Sequence, residues 1–269
     1  MRAYDVTKKL QDFTTLSWDE KLRPSTTQGS FPKAISGAGK SKTFYKLSNY
    51  DSYRGVFGHE CVNELLASRL LGALGFPHVD YRLIHALVRI DGKEIETWMS
   101  ASKSFRPEGT QTIHLDTFYD LYHHDGESPL DFCTRMGWET YVQQVMLTDY
   151  LIINRDRHGA NLEIIKWKDG HYFPAPIFDN GLSLVWSCFD DEDEIAAFDP
   201  LFNKPVNNYL GSRFLTDNLQ FIPKGLARNP FELITRERLF AGLNEVVNDT
   251  FCDKVWEILT TRWAQYEAI

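Results

Sequence analysis

The sequence predicts an α+β fold in two lobes: a β-rich first lobe with one main helix over residues 1–100, and a mostly helical second lobe over 101–269. Three observations predict it. Short runs rich in β-branched and aromatic residues, separated by glycine turns, crowd into the first third of the chain. Beyond about Ser100, apolar residues instead recur at three- and four-residue steps over long stretches. Finally, 18 Phe, 12 Tyr and 7 Trp among 269 residues supply enough large apolar side chains for a sizeable core.

Taken in order, residues 1–24 are mixed and polar, with Trp18 and Leu22 as anchors, and 25–30 is a loop of small residues. Residues 31–36 and 42–48 read as two strands. The string Gly39-Lys40-Ser41 between them looks like the end of a P-loop, but Ala34 stands where that loop needs its first glycine. The next residues, Thr43-Phe44-Tyr45-Lys46-Leu47, make a strand rather than the helix whose N–H groups would hold phosphate. Gly37 to Lys40 is therefore a hairpin turn. Val62, Leu65, Leu66, Leu70 and Ala73 mark an amphipathic helix over 59–74, ended by Gly75 and Pro77. Residues 78–90 give one or two strands, and Asp91-Gly92 turns the chain into a strand at 95–99. Helices are expected at 115–122 and 138–153, and again at 236–247 and 251–266.

Composition excludes several classes. A net charge of −8 gives no long-range field for nucleic acid or an anionic membrane. Cys61, Cys133, Cys188 and Cys252 lie far apart, so neither a zinc site nor a disulfide framework is expected, and buried free thiols in a reducing compartment are. No apolar run approaches the ~18 residues of a membrane span, and no secretion signal is visible. These features lead to an expectation of a cytoplasmic protein. His123-His124 lacks a third ligand and reads as surface.

The chemistry concentrates in 149–181, DYLIINRDRHGANLEIIKWKDGHYFPAPIFDNG. A helix end leads into Asn154-Arg155-Asp156-Arg157-His158-Gly159-Ala160-Asn161. A predicted β-hairpin, 162–167 and 172–178 about Lys168-Asp169-Gly170, then returns Asp179 beside Asn161. Phosphoryl transfer needs an acceptor for a hydroxyl proton and oxygen ligands for magnesium, converging on the γ-phosphate. Asp156 suits the first role, and Asn161 and Asp179 suit the second. An Asp followed five positions later by an Asn, with Asp-x-Gly after a hairpin, is the spacing of kinase catalytic segments. Such a site also needs a cation on the phosphates with a carboxylate to hold it. Lys46 offers the cation, and Glu60 and Glu64, one turn apart on the following helix, both offer the carboxylate. The phosphate cover then falls on 25–33, STTQGSFPK, where N–H groups around Gly29 and Ser30 form an anion nest and Lys33 adds charge. An adenine-binding hinge is expected at 96–101, through the backbone of Trp98, Met99 and Ser100.

The chain resembles the bacterial HipA-like serine/threonine kinases, in their compact form without the extra N-terminal domain. Their catalytic pattern Asn-x-Asp-Arg-His-x-x-Asn is matched by Asn154, Asp156, Arg157, His158 and Asn161, and Asp179 in IFDNGLSL resembles their metal-binding Asp. Gly29-Ser30-Phe31-Pro32-Lys33 resembles their Gly-x-Gln-Pro-Lys loop, with Phe31 in place of glutamine. NELLASRLLGALGF resembles their Asn-Glu helix, which favours Glu64 as the partner of Lys46, and Lys204-Pro205 resembles a further feature of the second lobe. The resemblance implies a bilobal protein-kinase-like fold that uses ATP and magnesium to phosphorylate serine or threonine on a protein. It assigns His158 to the nucleotide side as a residue that orients the loop rather than a base. In toxin members an antitoxin protein restrains the kinase, and autophosphorylation of the phosphate loop switches it off; Ser25, Thr26, Thr27 and Ser30 are the corresponding candidates. Type II phosphatidylinositol 4-kinases have a similar catalytic segment, but the acidic charge and the lack of a basic or lipidated surface count against a lipid acceptor. The filled catalytic positions count against a pseudokinase that only binds.

Overall fold

The computed structural model describes residues 5–18 and 31–269. The first lobe is a five-stranded sheet built from β1 (Val6–Phe13), β2 (Lys33–Ser36), β3 (Thr43–Leu47), β6 (Tyr81–Ile90) and β7 (Lys93–Lys103), in the spatial order β1-β6-β7-β3-β2. Every neighbouring pair is antiparallel except β1 with β6, which run parallel. In β6 the even residues Ile84, Ala86, Val88 and Ile90 are all buried, and they pack with Leu47, Met99 and Ala101 into a core on one face of the sheet. That two-residue period is the one a half-buried strand requires. The turn at Asp91-Gly92 has positive φ at both residues, 50° and 75°, the mirror-image geometry that suits a tight hairpin. A small hairpin of β4 (Asn49–Asp51) and β5 (Gly55–Phe57) follows β3.

The hairpin predicted at 31–48 is present as β2 and β3. Its turn holds a short 3₁₀ segment, Gly39–Ser41, in which the Ser41 hydroxyl donates to Ala38 O at 2.7 Å. Strand β3 comes directly after it, so no helix N-terminus faces Lys40. Of the one or two strands expected over 78–90, the structure has one, β6.

The helix expected over 59–74 is present as α1 (Glu60–Leu74), but it is buried on nearly every side rather than on one apolar face. Thirteen of its fifteen residues are buried, including Glu60, Asn63, Glu64 and Arg69. Its apolar residues belong to the same core as Leu115, Phe118, Leu147, Tyr150 and Leu259 of the second lobe, so the two lobes share one continuous interior. A helix enclosed on all sides carries its polar residues inward, which makes each of them a candidate for function.

The second lobe contains α2 (Leu115–Tyr122), α3 (Pro129–Arg135), α4 (Glu139–Ile152), α5 (Glu192–Ala197), α6 (Arg236–Leu239) and α7 (Asp249–Ala268). It also carries a three-stranded sheet built from β8 (Gln111–His114), β10 (Glu163–Lys166) and β11 (Tyr172–Pro174), in the order β11-β10-β8. A parallel pair joins β9 (Asp156–Arg157) to β12 (Asn207–Asn208). The helix expected over 236–247 stops at Leu239. Gly242 has φ +81° and packs where a Cβ would meet Val6 at 3.2 Å, so the chain turns there to meet β1. The lobe boundary expected at 100 is crossed by β7, and the connection between lobes is 104–110.

All four cysteines are buried and unpaired, and burial pushes the thiols of Cys61 and Cys252 up to about 11 and that of Cys133 to about 12. They are packing residues. Among the described residues no helix is long and apolar enough to cross a membrane.

Candidate active site

Helix α4 ends at Ile153, which adopts φ 53°, a left-handed conformation that a β-branched residue takes only when its surroundings enforce it. The enforcing contacts converge on Asp149, in the last turn of α4. Its carboxylate accepts from the Asn154 amide at 2.9 Å and from Arg157 Nε at 3.0 and 3.1 Å and Nη2 at 2.8 Å. Arg157 also donates through Nη1 to Phe178 O at 2.7 Å and through Nη2 to Asn180 Oδ1 at 2.6 Å. The side chains of Arg157 and Asp149 are 1% and 3% exposed. One buried guanidinium thus fastens the segment after α4 to the loop beyond β11 that carries Asp179.

Asp179 itself has φ 54°, and its backbone N–H donates to the Tyr81 hydroxyl at 3.3 Å. Its carboxylate accepts from Lys46 Nζ at 2.7 Å and lies 3.7 Å from Lys33 Nζ. Lys46 also donates to Glu64 Oε1 at 3.3 Å, while Glu64 Oε2 accepts from the Asn180 N–H at 2.8 Å. The neighbouring Asn63 donates to Gly181 O and Ser183 O, both at 3.0 Å. The Asn-Glu pair of α1 therefore holds the whole 180–183 backbone. Gly181 permits this approach, because a Cβ there would sit 3.3 Å from Lys46 Nζ and 3.2 Å from Glu60 O. Glu60 is already committed to the Asn49 amide at 2.8 Å and the Trp186 indole at 2.7 Å. Of the two carboxylates open in the spacing, Glu64 is the one that meets Lys46.

The electrostatics follow from one cation between a buried carboxylate, Glu64, and a part-exposed one, Asp179. Burial alone would raise the Asp179 carboxyl, but Lys46 and then Lys33 hold it well below the usual carboxylate range. Burial opposes the charge of Lys46, yet Asp179 and Glu64 outweigh it and raise the ammonium well above its ordinary value. Glu64 is raised, by burial first and by Asp179 after it, against the pull of Lys46. Phe31, which stands where the resembling loop has glutamine, covers the ammonium with its ring at 5.6 Å.

The second cluster is more open. Asp156 is 30% exposed, and its Oδ1 accepts from the Asn207 amide at 2.7 Å. His158 accepts at Nδ1 from the Ala160 N–H at 3.2 Å, so its proton is on Nε2, which lies 3.7 Å from Asp156 Oδ2. Asn161 donates from its amide nitrogen to Asp156 O at 2.8 Å, which leaves the amide oxygen as the end able to take a metal. Arg157 Nη1 reaches Asn161 O at 3.4 Å as well as Phe178 O, joining this cluster to the first.

The expected hinge does not hold. Met99 and Ser100 are paired with β3 on one side and β6 on the other, and Trp98 pairs with His85 and stacks on its ring at 4.7 Å. Backbone groups in the middle of a sheet are committed to their neighbours and cannot read a base. The Ser100 hydroxyl instead donates to Lys46 O at 3.3 Å, a contact that supports the lysine strand. The connection begins at Ser104, and Phe105 packs its ring 5.5 Å from that of Phe178, next to Asp179. Gly29 and Ser30, with the candidate sites Ser25, Thr26 and Thr27, lie outside the described residues. Sequence alone gives Asp149, Tyr81, Asn180 and Asn207 no role. Only Asp149 carries a signal, an acid on a helix face otherwise lined by Val142, Val145 and Met146.

The sequence matches no protein-family model and no curated protein. Solved structures do match it. The Helicobacter pylori proinflammatory kinase CtkA is 15% identical, with 96% of each chain covered and a TM-score of 0.60. The HipA of the Shewanella oneidensis MR-1 HipA, HipB and operator DNA complex is 17% identical, with 93% of this chain and 66% of that one covered and a TM-score of 0.43. The likeness to CtkA shows the fold. This chain has the two-lobed α+β kinase architecture that its sequence predicts.

Proposed function

We propose that this chain is a kinase that transfers the γ-phosphoryl group of ATP, with magnesium, to a serine or threonine hydroxyl of a protein. The observation that carries the reading is the junction at Arg157, whose contacts of 2.6–3.4 Å to Asn161 O, Phe178 O and Asn180 Oδ1 join the segment of Asp156 and Asn161 to the residues on either side of Asp179, where Lys46 and Glu64 meet. Turn-forming Asp and Asn residues at strand ends do not require a buried guanidinium to unite them.

The donors suit magnesium. Among the described residues no group of three or more His, Cys, Asp and Glu forms a metal cage, and Asp179 with the Asn161 amide oxygen offers two hard oxygen ligands. That is the usual arrangement for this ion, which takes one or two protein oxygens and completes its shell with phosphate and water. Bound there, the ion would neutralise charge on the β- and γ-phosphates.

Lys46 is aimed by Glu64 and held by Asp179; its ammonium is the group available to the α- and β-phosphates. Lys33, on the adjacent strand and 3.7 Å from Asp179, adds a second cation at the same mouth. The base would be read along 104–107, beside Phe105, rather than within β7. Asp156, open to solvent on one side, accepts the proton of the incoming hydroxyl as the hydroxyl oxygen attacks the γ-phosphorus in line with the leaving ADP oxygen.

Transfer of labelled γ-phosphate to the chain itself or to a cell extract, with and without magnesium, tests the reading. Asp156→Ala should lower kcat by about 10²–10⁴-fold while nucleotide affinity stays near wild type. Equal rates for wild type and variant would end it.

A further inference from the structure

Asp156 is a part-exposed carboxylate on a two-residue strand, and something must fix the direction of its oxygens. The structure supplies that fixing from a distant segment. Strand β12 runs parallel to β9 with Asn207 opposite Asp156. Backbone bonds from Asn207 N to Arg155 O at 3.0 Å and from Tyr209 N to Arg157 O at 2.8 Å close on both sides of the acid. The segment is in turn braced by Val206 N to Arg213 O at 2.9 Å and by the Asn208 amide on Ser212 O at 2.8 Å. Asn207 thus enters the site on a stiff platform, and its side-chain amide donates to Asp156 Oδ1 at 2.7 Å.

We infer that Asn207 is a positioning residue for the proposed general base, turning the carboxylate so that Oδ2 faces the acceptor hydroxyl. The inference rests on the proposed phosphoryl transfer. Three features support it. The bond is short and leaves one carboxylate oxygen to take the proton. Among the described residues no lysine or arginine lies within 4.0 Å of this carboxylate; His158 Nε2, 3.7 Å from Oδ2, is its one ionisable neighbour of positive type. A neutral amide fixes direction and adds no charge that would oppose proton uptake. Finally, Asn207 is exposed, so its side chain is not there to fill a core, and the backbone pairing of β12 needs no particular side chain.

The test is steady-state transfer of labelled γ-phosphate to the chain itself or to a cell extract, by the full chain and by Asn207→Leu and Asn207→Asp. The first variant removes the donor, and the second keeps the shape but sets a carboxylate against a carboxylate. The expected result is a kcat lower by about 10- to 100-fold in Asn207→Leu and lower still in Asn207→Asp. KM for ATP and the melting temperature should remain at wild-type values, a split that a merely structural role would not produce. Wild-type kcat in both variants, or a parallel loss of melting temperature and affinity, overturns the inference. No transfer by the wild-type chain would instead overturn the kinase reading on which it rests.

Discussion

The two halves of the candidate site are built by opposite means. Around Lys46, Glu64, Asp179 and Arg157, full charges lie together, buried at Glu64 and Arg157 and part-exposed at Asp179, and each is answered by another within about hydrogen-bond distance. Around Asp156 the carboxylate stays partly in water, held by a neutral amide and faced by one imidazole. Under the proposed function the difference follows from what each half would receive. Phosphates and a metal arrive at fixed positions and reward preorganised charge, whereas a protein hydroxyl must be able to approach from outside. The enclosed half is therefore also a structural joint, and the open half is not.

The sharpest way to break that contrast is Arg157→Met. Removing the guanidinium leaves Asp149 charged and buried, and breaking such a pair costs roughly 3–5 kcal/mol. The expected outcome is a fall of several degrees in melting temperature together with loss of transfer, because Phe178 O and Asn180 lose the group that ties them to the catalytic segment. Asp156→Ala, in the open half, should lose transfer at an unchanged melting temperature. If calorimetry finds both variants equally stable, the enclosed half is not a joint.

A second effect, smaller, comes from Lys46→Met, which should lower stability by roughly 2 kcal/mol because Lys33 remains beside Asp179 and water reaches the site. Its pH dependence sharpens the comparison. Burial pushes the Lys46 ammonium down, while Asp179 and Glu64 push it up and prevail, so its folded value lies above the unfolded 10.5. A raised cation contributes stability that is complete below the unfolded value and fades as pH climbs through the folded one. The difference between wild type and Lys46→Met should accordingly stay constant from about pH 8 to 10 and shrink only above 10.5. Denaturant titrations in which it already shrinks near pH 9 would mean that burial outweighs the two carboxylates.

What the sequence made legible is what short spacing fixes. Asp156, Asn161 and Asp179 are separated by one turn and one hairpin, so spacing alone puts them in one stretch, and the fold joins the two ends of that stretch through Arg157. Glu64 could not be told from Glu60 by spacing, since both share a helix face; the choice depends on Asn49 and Trp186 claiming Glu60. Strand β1 was invisible, because Lys8 to Asp12 lie on the surface and its register with β6 slips between Thr7 and Gln11. The hinge was misplaced because nothing in Met99 to Lys103 interrupts a strand, and small residues such as Ser100 and Ala101 are tolerated in the middle of a sheet. Asn207 sits on a two-residue strand with no periodicity to announce it, and its role exists only through pairing with a segment some fifty residues earlier.

The smallest expected effect bears on the other glycine-rich stretch. Lys40 lies in the hairpin turn between β2 and β3, 87% exposed, with Glu108 as its ionic neighbour at 3.9 Å, a distance and setting at which an ion pair contributes little. The Ser41 hydroxyl beside it is turned back onto Ala38 O, and the next element is a strand, so neither residue faces an array of free N–H groups. Lys40→Ala should leave melting temperature and phosphoryl transfer at wild-type levels, while Lys46→Met, six residues later, abolishes transfer. The opposite pattern in the same assay would move the nucleotide from the cleft at Asp179 to this turn, and with it the contrast between an enclosed and an open half would lose its chemical meaning.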